Sequence, residues 1–133
     1  WNLVDNKDLD YHYLGDFDRE MLKVIKSEKN LIRTPVQEMW HNDADQILAY
    51  MRGDLIFVFN FSPNRSFTDY GFLVPTGSYD VVLDTDNKKF GGNGLNDDSM
   101  MHLTSYDSLY VNERKEWLKL YLPARSALVL RKN

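Results

Sequence analysis

Seven consecutive positions, "LIFVFNF" at Leu55 to Phe61, hold six apolar residues around a single Asn. A run this short, bounded by Gly53-Asp54 before it and Pro63-Asn64 after it, reads as a strand covered on both faces. Successive side chains of a strand point to opposite sides. Leu55, Phe57, Phe59 and Phe61 therefore share one face, and Ile56 and Val58 the other. One face is expected to line a sandwich core. The other meets something else, for which a packed partner domain is the simplest cover.

Neighbouring segments follow the same pattern. Residues 47–52 alternate, and Gly53-Asp54 supplies a hairpin turn into the apolar run. A strand is predicted over 67–74, a turn at "VPTG", a second alternating strand over 78–84, and a stop at "DTDN". "FGGNGLNDD", Phe90 to Asp98, reads as the loosest part of the chain because its three glycines tolerate positive φ. Further strands are expected near 100–104, 109–112, 116–122 and 127–131. About eight short strands separated by turns predict an all-β fold, an antiparallel β-sandwich.

A different periodicity precedes the strands. Leu14, Phe17, Met21, Leu22 and Ile25 recur at three- and four-residue spacing, which predicts a helix over 11–26, with Asp5, Asn6 and Asp8 as caps or an upstream turn. Its stripe must pack on something beyond the helix itself. Over 27–45 the pattern fades, Thr34-Pro35 opposes a continuous helix, and the stretch reads as a linker whose Trp40 covers an edge of the next domain. The expected division is a helical segment and linker at 1–38 and a sandwich at 39–133. Opening on Trp1 rather than Met, the chain reads as a piece of something larger.

With 133 residues the chain can bury about 68% of its unfolded surface without staples. It has no Cys, which removes disulfides, thiolate zinc sites and cysteine nucleophiles and favours a cytoplasmic location. A formal charge of -4 with dispersed Lys and Arg argues against nucleic acid as a partner. No apolar stretch approaches the ~20 residues of a membrane span.

Reactive arrangements are hard to find. Asp84 and Asp86 lie in a turn and Asp97 and Asp98 in the glycine loop, where Asp serves backbone hydrogen bonding. His12, His41 and His102 lack ligand-like spacing. "RGD" at Arg52 to Asp54 has a sufficient role as a hairpin turn, and "GGNG" lacks the spacing of a phosphate cradle. Tyr106, Tyr110 and Trp117 are candidates for stacking on sugar rings, with packing as the alternative. No catalytic residue, metal ligand or cofactor site is assigned.

"AYMRGDLIFVFNFSPNRSFTDYGFLVPTGSYDVVLDTDNKKFGG" resembles the C-terminal all-β domain of glycogen (1,4-α-glucan) branching enzymes of the α-amylase superfamily, in the order FVFNF, DY, P-x-G-x-Y, LD-x-D, FGG. "WNLVDNKDLDYHYLGDFDREM", Trp1 to Met21, is similar to the end of the same enzymes' catalytic barrel. The likeness is close over 1–21 and 46–92; 24–45 and 95–121 depart from it.

The resemblance implies a parent that cleaves an α-1,4-glucan and transfers the segment to a 6-hydroxyl, using an Asp nucleophile, a Glu acid/base and a second Asp on a (β/α)8 barrel. In the family these three precede the segment that starts at Trp1, so none is carried onto this chain. Neither "HND", His41 to Asp43, nor "DFDR", Asp16 to Arg19, takes a catalytic role. The expected function is a non-catalytic domain that packs on and stabilises the barrel. Alternatives are a glucan-binding surface module, and a chain that is itself an enzyme, which needs two converging carboxylates in a cleft. Without the barrel, the stripe is expected to drive self-association or to fold back on the sandwich.

Overall fold

The structure, a computed structural model, describes residues 11–28, 34–105 and 115–133. Among the described residues one helix, α1 (Tyr11–Ser27), precedes eight strands: β1 (Gln37–Asn42), β2 (Ile47–Arg52), β3 (Leu55–Asn60), β4 (Phe67–Pro75), β5 (Ser78–Asp84), β6 (Met101–Leu103), β7 (Lys115–Leu122) and β8 (Ser126–Lys132). A short 3-10 turn, Lys88–Phe90, follows β5. The all-β expectation holds. The strand expected over 109–112 lies outside the described residues.

All pairings are antiparallel. Six strands form one sheet in the order β1-β2-β3-β8-β5-β6, and β4 pairs with β7 in a second. The last strand lies between β3 and β5. Two of the larger sheet's five pairings, β3–β8 and β8–β5, therefore wait for the end of the chain.

The two sheets enclose the core. Ile47, Ala49, Ile56, Val58, Leu128 and Leu130 face Phe72, Val74, Leu118, Leu120 and Leu122 across it. Strand alternation puts each set inward, and β3 divides as its sequence predicts, with Ile56 and Val58 in this core. The β2–β3 turn has Gly53 at φ +62°, the positive value that a type II′ hairpin places at its first central residue.

Two motif residues close the ends of this core. The Asn60 side chain, 2% exposed, donates to the carbonyls of Arg65, Leu122 and Pro123 and accepts from the Ser62 amide, tying the end of β3 to the β7–β8 connection. The buried Tyr79 hydroxyl donates to the Pro75 carbonyl at 2.7 Å, which locks the turn between β4 and β5.

Three sequence expectations are corrected. The linker reading fails over Gln37–Asn42, which pairs with β2 as an edge strand. Its side chains are mostly exposed, so no apolar alternation marked it. Trp40 does cover an edge: its indole N–H donates to the Tyr70 hydroxyl at 2.8 Å, and that hydroxyl donates to Asp45.

The helix stripe is the second correction. Phe17, Met21 and Val24 pack on the sheet, whereas Leu22 and Ile25 are 53% and 37% exposed. At 3.6 residues per turn Leu22 lies about 140° round the helix from Phe17, too far to share its contact.

Third, the glycine loop is pinned rather than loose. Both Asp86 carboxylate oxygens accept amides, from Asn93 at 3.1 Å and Leu95 at 3.0 Å, and the Asp86 carbonyl accepts from Gly94 at 2.7 Å. A Cβ on Gly92 would stand 2.2 Å from that same carbonyl oxygen, so only glycine lets the loop approach.

A candidate docking face

The outer face of the six-stranded sheet has two halves. Over β3, β8 and β5 lies α1, whose Phe17, Met21 and Val24 pack with Leu55, Val129 and Leu83. Arg131 of β8 fastens the helix end, donating from Nε to Glu28 at 2.8 Å and from Nη2 to the Ser27 hydroxyl at 2.6 Å. Against the other side of this contact, Phe90 meets Phe17 edge to face.

The second half is an aromatic ladder. Tyr50 of β2 stands opposite Phe57 of β3 and stacks on it at 4.9 Å; Tyr50 and Phe59 are 5.9 Å apart, and Phe59 and Phe61 5.5 Å with planes only 6° apart. Parallel rings at these spacings contribute ~1 kcal/mol per pair beyond their burial. The ladder runs from the covered half into solvent, and Phe61 at its end is 59% exposed. Phe61 also stands between two surface hollows, of about 450 Å³ beside His41, Asp43 and Gln46 and of about 370 Å³ beside Thr85, Arg125 and Ser126.

The alternation of β3 announced this face, but Tyr50 was missed. Its membership depends on the β2–β3 register, which only the hairpin turn at Gly53 could have signalled.

Other singled-out residues scatter. Trp117 is on the outer face of the β4–β7 sheet, at the opposite side of the molecule, its ring laid across Gly71. Tyr106 and Tyr110 lie outside the described residues, as does the side chain of His12. His41 pairs with Glu38 on the exposed edge strand. His102, partly buried on β6, has its pKa lowered by desolvation, against the opposing pull of Asp80 and Asp98. Arg52 donates to the Thr34 carbonyl, Asp16 pairs with Arg19 on α1, and Asp97 accepts from Ser99, which lowers its pKa.

Of the four singled-out aspartates, Asp84 and Asp98 bring their carboxyls together, and Asp86 donates its amide to Asp84. Burial, first, and the neighbouring Asp98, second, push the Asp84 carboxyl up to about 7. The pair borders a cavity of about 110 Å³ that Leu83, Asn87 and Phe90 also line. Among the described residues no cluster of three or more His, Asp or Glu could hold a metal, and no helix is long and apolar enough to cross a membrane.

Comparison with known proteins places these features. Residues 39–133 match the family model of the alpha amylase, C-terminal all-beta domain. The chain is 37% identical over 131 residues to a 1,4-alpha-glucan-branching enzyme of Emericella nidulans, covering 97% of this chain and 19% of that protein. It is 37% identical over 132 residues to the one from Saccharomyces cerevisiae, 98% of this chain and 18% of that protein, and 37% over 134 residues to the one from Dictyostelium discoideum, 99% and 19%. The chain thus spans under a fifth of the length of these relatives.

Proposed function

The chain belongs to the alpha amylase C-terminal all-beta domain family, and from that premise we propose that it is the non-catalytic C-terminal part of a 1,4-α-glucan branching enzyme that packs on the enzyme's (β/α)8 barrel. The division expected from the sequence, a helical segment with linker at 1–38 and a sandwich at 39–133, is part of the same proposal, except that Gln37 and Glu38 belong to β1 and so to the sandwich. The parent cleaves an α-1,4-glucan and transfers the segment to a 6-hydroxyl, with the reacting carboxylates elsewhere in the polypeptide.

The aromatic ladder carries this reading. It continues the surface on which α1 already lies, and it ends in an exposed phenyl ring at Phe61. On the helix, Leu22 and Ile25 are exposed and add further apolar area for a partner to cover. An interdomain contact removing a few hundred Å² of apolar area from water contributes several kcal/mol at ~25 cal/mol per Å². That suffices to hold a domain in place and to raise the stability of the whole enzyme.

The test is made in the full-length enzyme. Charge at the ladder's end, F61D, is expected to lower the melting temperature of the enzyme by several degrees, while costing the isolated 133-residue chain no more than the ~1 kcal/mol of its stacking on Phe59. An enzyme indifferent to F61D, alone and combined with L22D, refutes the docking face. Branching of amylose by the isolated chain, read as a shift in iodine absorbance, refutes the non-catalytic assignment.

The hollows beside Phe61 favour a second reading, in which this ring stacks on a glucose unit and polar neighbours such as Arg125 and Gln46 bind its hydroxyls. Titration with maltoheptaose separates the two. Saturable shifts of the Phe61 ring resonances support a glucan surface, and their absence at millimolar ligand removes it.

A further inference from the structure

Asp84 and Asp98 have complementary unfinished bonding. The Asp84 side chain is 2% exposed; its Oδ1 accepts the Asp86 amide at 2.8 Å, and its Oδ2 is buried with no donor. Asp98 Oδ2 accepts the Asn87 side-chain amide at 2.8 Å, and its Oδ1 is likewise buried with no donor. The two carboxyls lie within hydrogen-bonding reach of each other. Two acceptors in contact have nothing to share unless one carries a proton.

We propose that Asp84 and Asp98 share one proton, and that this proton is a catch holding the loop of residues 85–98 closed on the sheet and, through Phe90, steadying α1. The mechanical path is short. Asp98 grips Asn87, Asn87 caps the 3-10 turn by accepting the Lys89 amide, and Phe90 at the end of that turn meets Phe17 of α1 with ring centroids 5.3 Å apart. The only step is loss of the shared proton to water. It leaves two carboxylates facing each other beside a cavity walled by Val82, Leu83 and Phe90, where their repulsion is weakly screened. Asp98 is the less buried partner, on a loop, so it is the one that swings out.

The surrounding charges leave the pair dependent on that proton. Asp86 on the same turn adds repulsion. Lys89 borders the cavity but holds its ammonium over the Phe90 ring, 5.1 Å from the centroid. His102 on β6 senses Asp98 and is itself shifted toward its neutral form. From β8 the residue opposite Asp84 is Leu128, and α1 brings Phe17, both apolar.

The sign follows from the direction of the shift. A carboxyl whose folded pKa is raised adds most to stability below its unfolded value, and that contribution is lost as pH rises through the folded value. The catch is closed in mild acid and opens as pH passes neutrality.

The test is a carboxyl carbon NMR titration of the 133-residue chain from about pH 4 to about pH 9. The expected result is a coupled pair with one step near pH 7, and amide shifts of Phe90, Gly92 and Leu95 with the same midpoint. In D98N the asparagine amide replaces the proton, so the step vanishes and the loop amides stay fixed across the range; H102Q leaves the midpoint in place. The idea fails if both carboxyls ionise below about pH 5. It also fails if the neutral step survives D98N or disappears in H102Q. Millimolar Ca²⁺ or Mg²⁺ abolishing the step, with a chelator restoring it, would instead assign the position to a divalent ion.

Discussion

Phe17 of α1 and Phe90 of the glycine loop meet edge to face, centroids 5.3 Å apart and planes at 85°. Two segments far apart in sequence are thereby joined over the outer face of the sheet, beyond the sandwich core. F17A is expected to free the helix while the sandwich stays folded, at a cost of about 2 kcal/mol. A freed helix of 17 residues is marginal in water. The check is loss of helical circular dichroism and of amide protection over α1, with β-strand protection retained; simultaneous loss of both would contradict it.

Asn60 offers two amide hydrogens to three main-chain carbonyls. N60L is close in volume yet leaves those carbonyls without their donor, and it should destabilise the chain by about 3 kcal/mol. Urea unfolding measures this directly. A loss under about 1 kcal/mol would mean that water replaces the amide.

Gly92 lies against the main chain of Asp86, where an added Cβ meets the carbonyl oxygen at 2.2 Å and no flexible side chain can give way. G92A should cost about 2 kcal/mol or more. By contrast, alanine at Gly53, which has no atom within 4 Å of an added Cβ, should cost only the ~1 kcal/mol of its positive φ. Parallel denaturation curves of the two variants test the ranking; equal losses would show that the close approach is unimportant.

Tyr79 is fully buried, and its phenol is pushed up to about 12, first by desolvation and then by the Asp54 charge. The unfolded phenol ionises near its usual 10.0, so between these values the folded state holds a proton that the unfolded state lacks. Stability should fall as pH rises across that window, more steeply in the wild type than in Y79F. Y79F itself should cost about 1 kcal/mol at neutral pH because the Pro75 carbonyl loses its donor. Identical alkaline slopes in the two proteins would rule out Tyr79 as the source.

Much of the fold was legible because its signals are local. The strand expected over 78–84 is β5 as found, bounded by a glycine turn and an aspartate turn, and the hairpin at Gly53 joins β2 to β3 as its turn chemistry requires. β1 escaped because an exposed edge strand has no alternation to read; pairing with β2 holds it. The face on β3 was visible in the spacing of its phenylalanines, whereas Tyr50 joins them only through register. Asp84 and Asp86 were expected to make turn hydrogen bonds, and they do. The pairing of Asp84 with Asp98 depends on the folding-back of the glycine loop, which leaves no mark in either neighbourhood.

By itself, then, the order of residues determined where strands begin and end, which side chains share a side, and where the chain turns, since φ/ψ sterics and two-residue alternation act over a few neighbours. Tertiary structure alone decided that β8 lies between β3 and β5, that Phe17, Met21 and Val24 rather than Leu22 and Ile25 meet the sheet, and that two aspartates end face to face. Those outcomes depend on shape and burial between segments distant in the chain. Such contacts are selected only when the whole core closes.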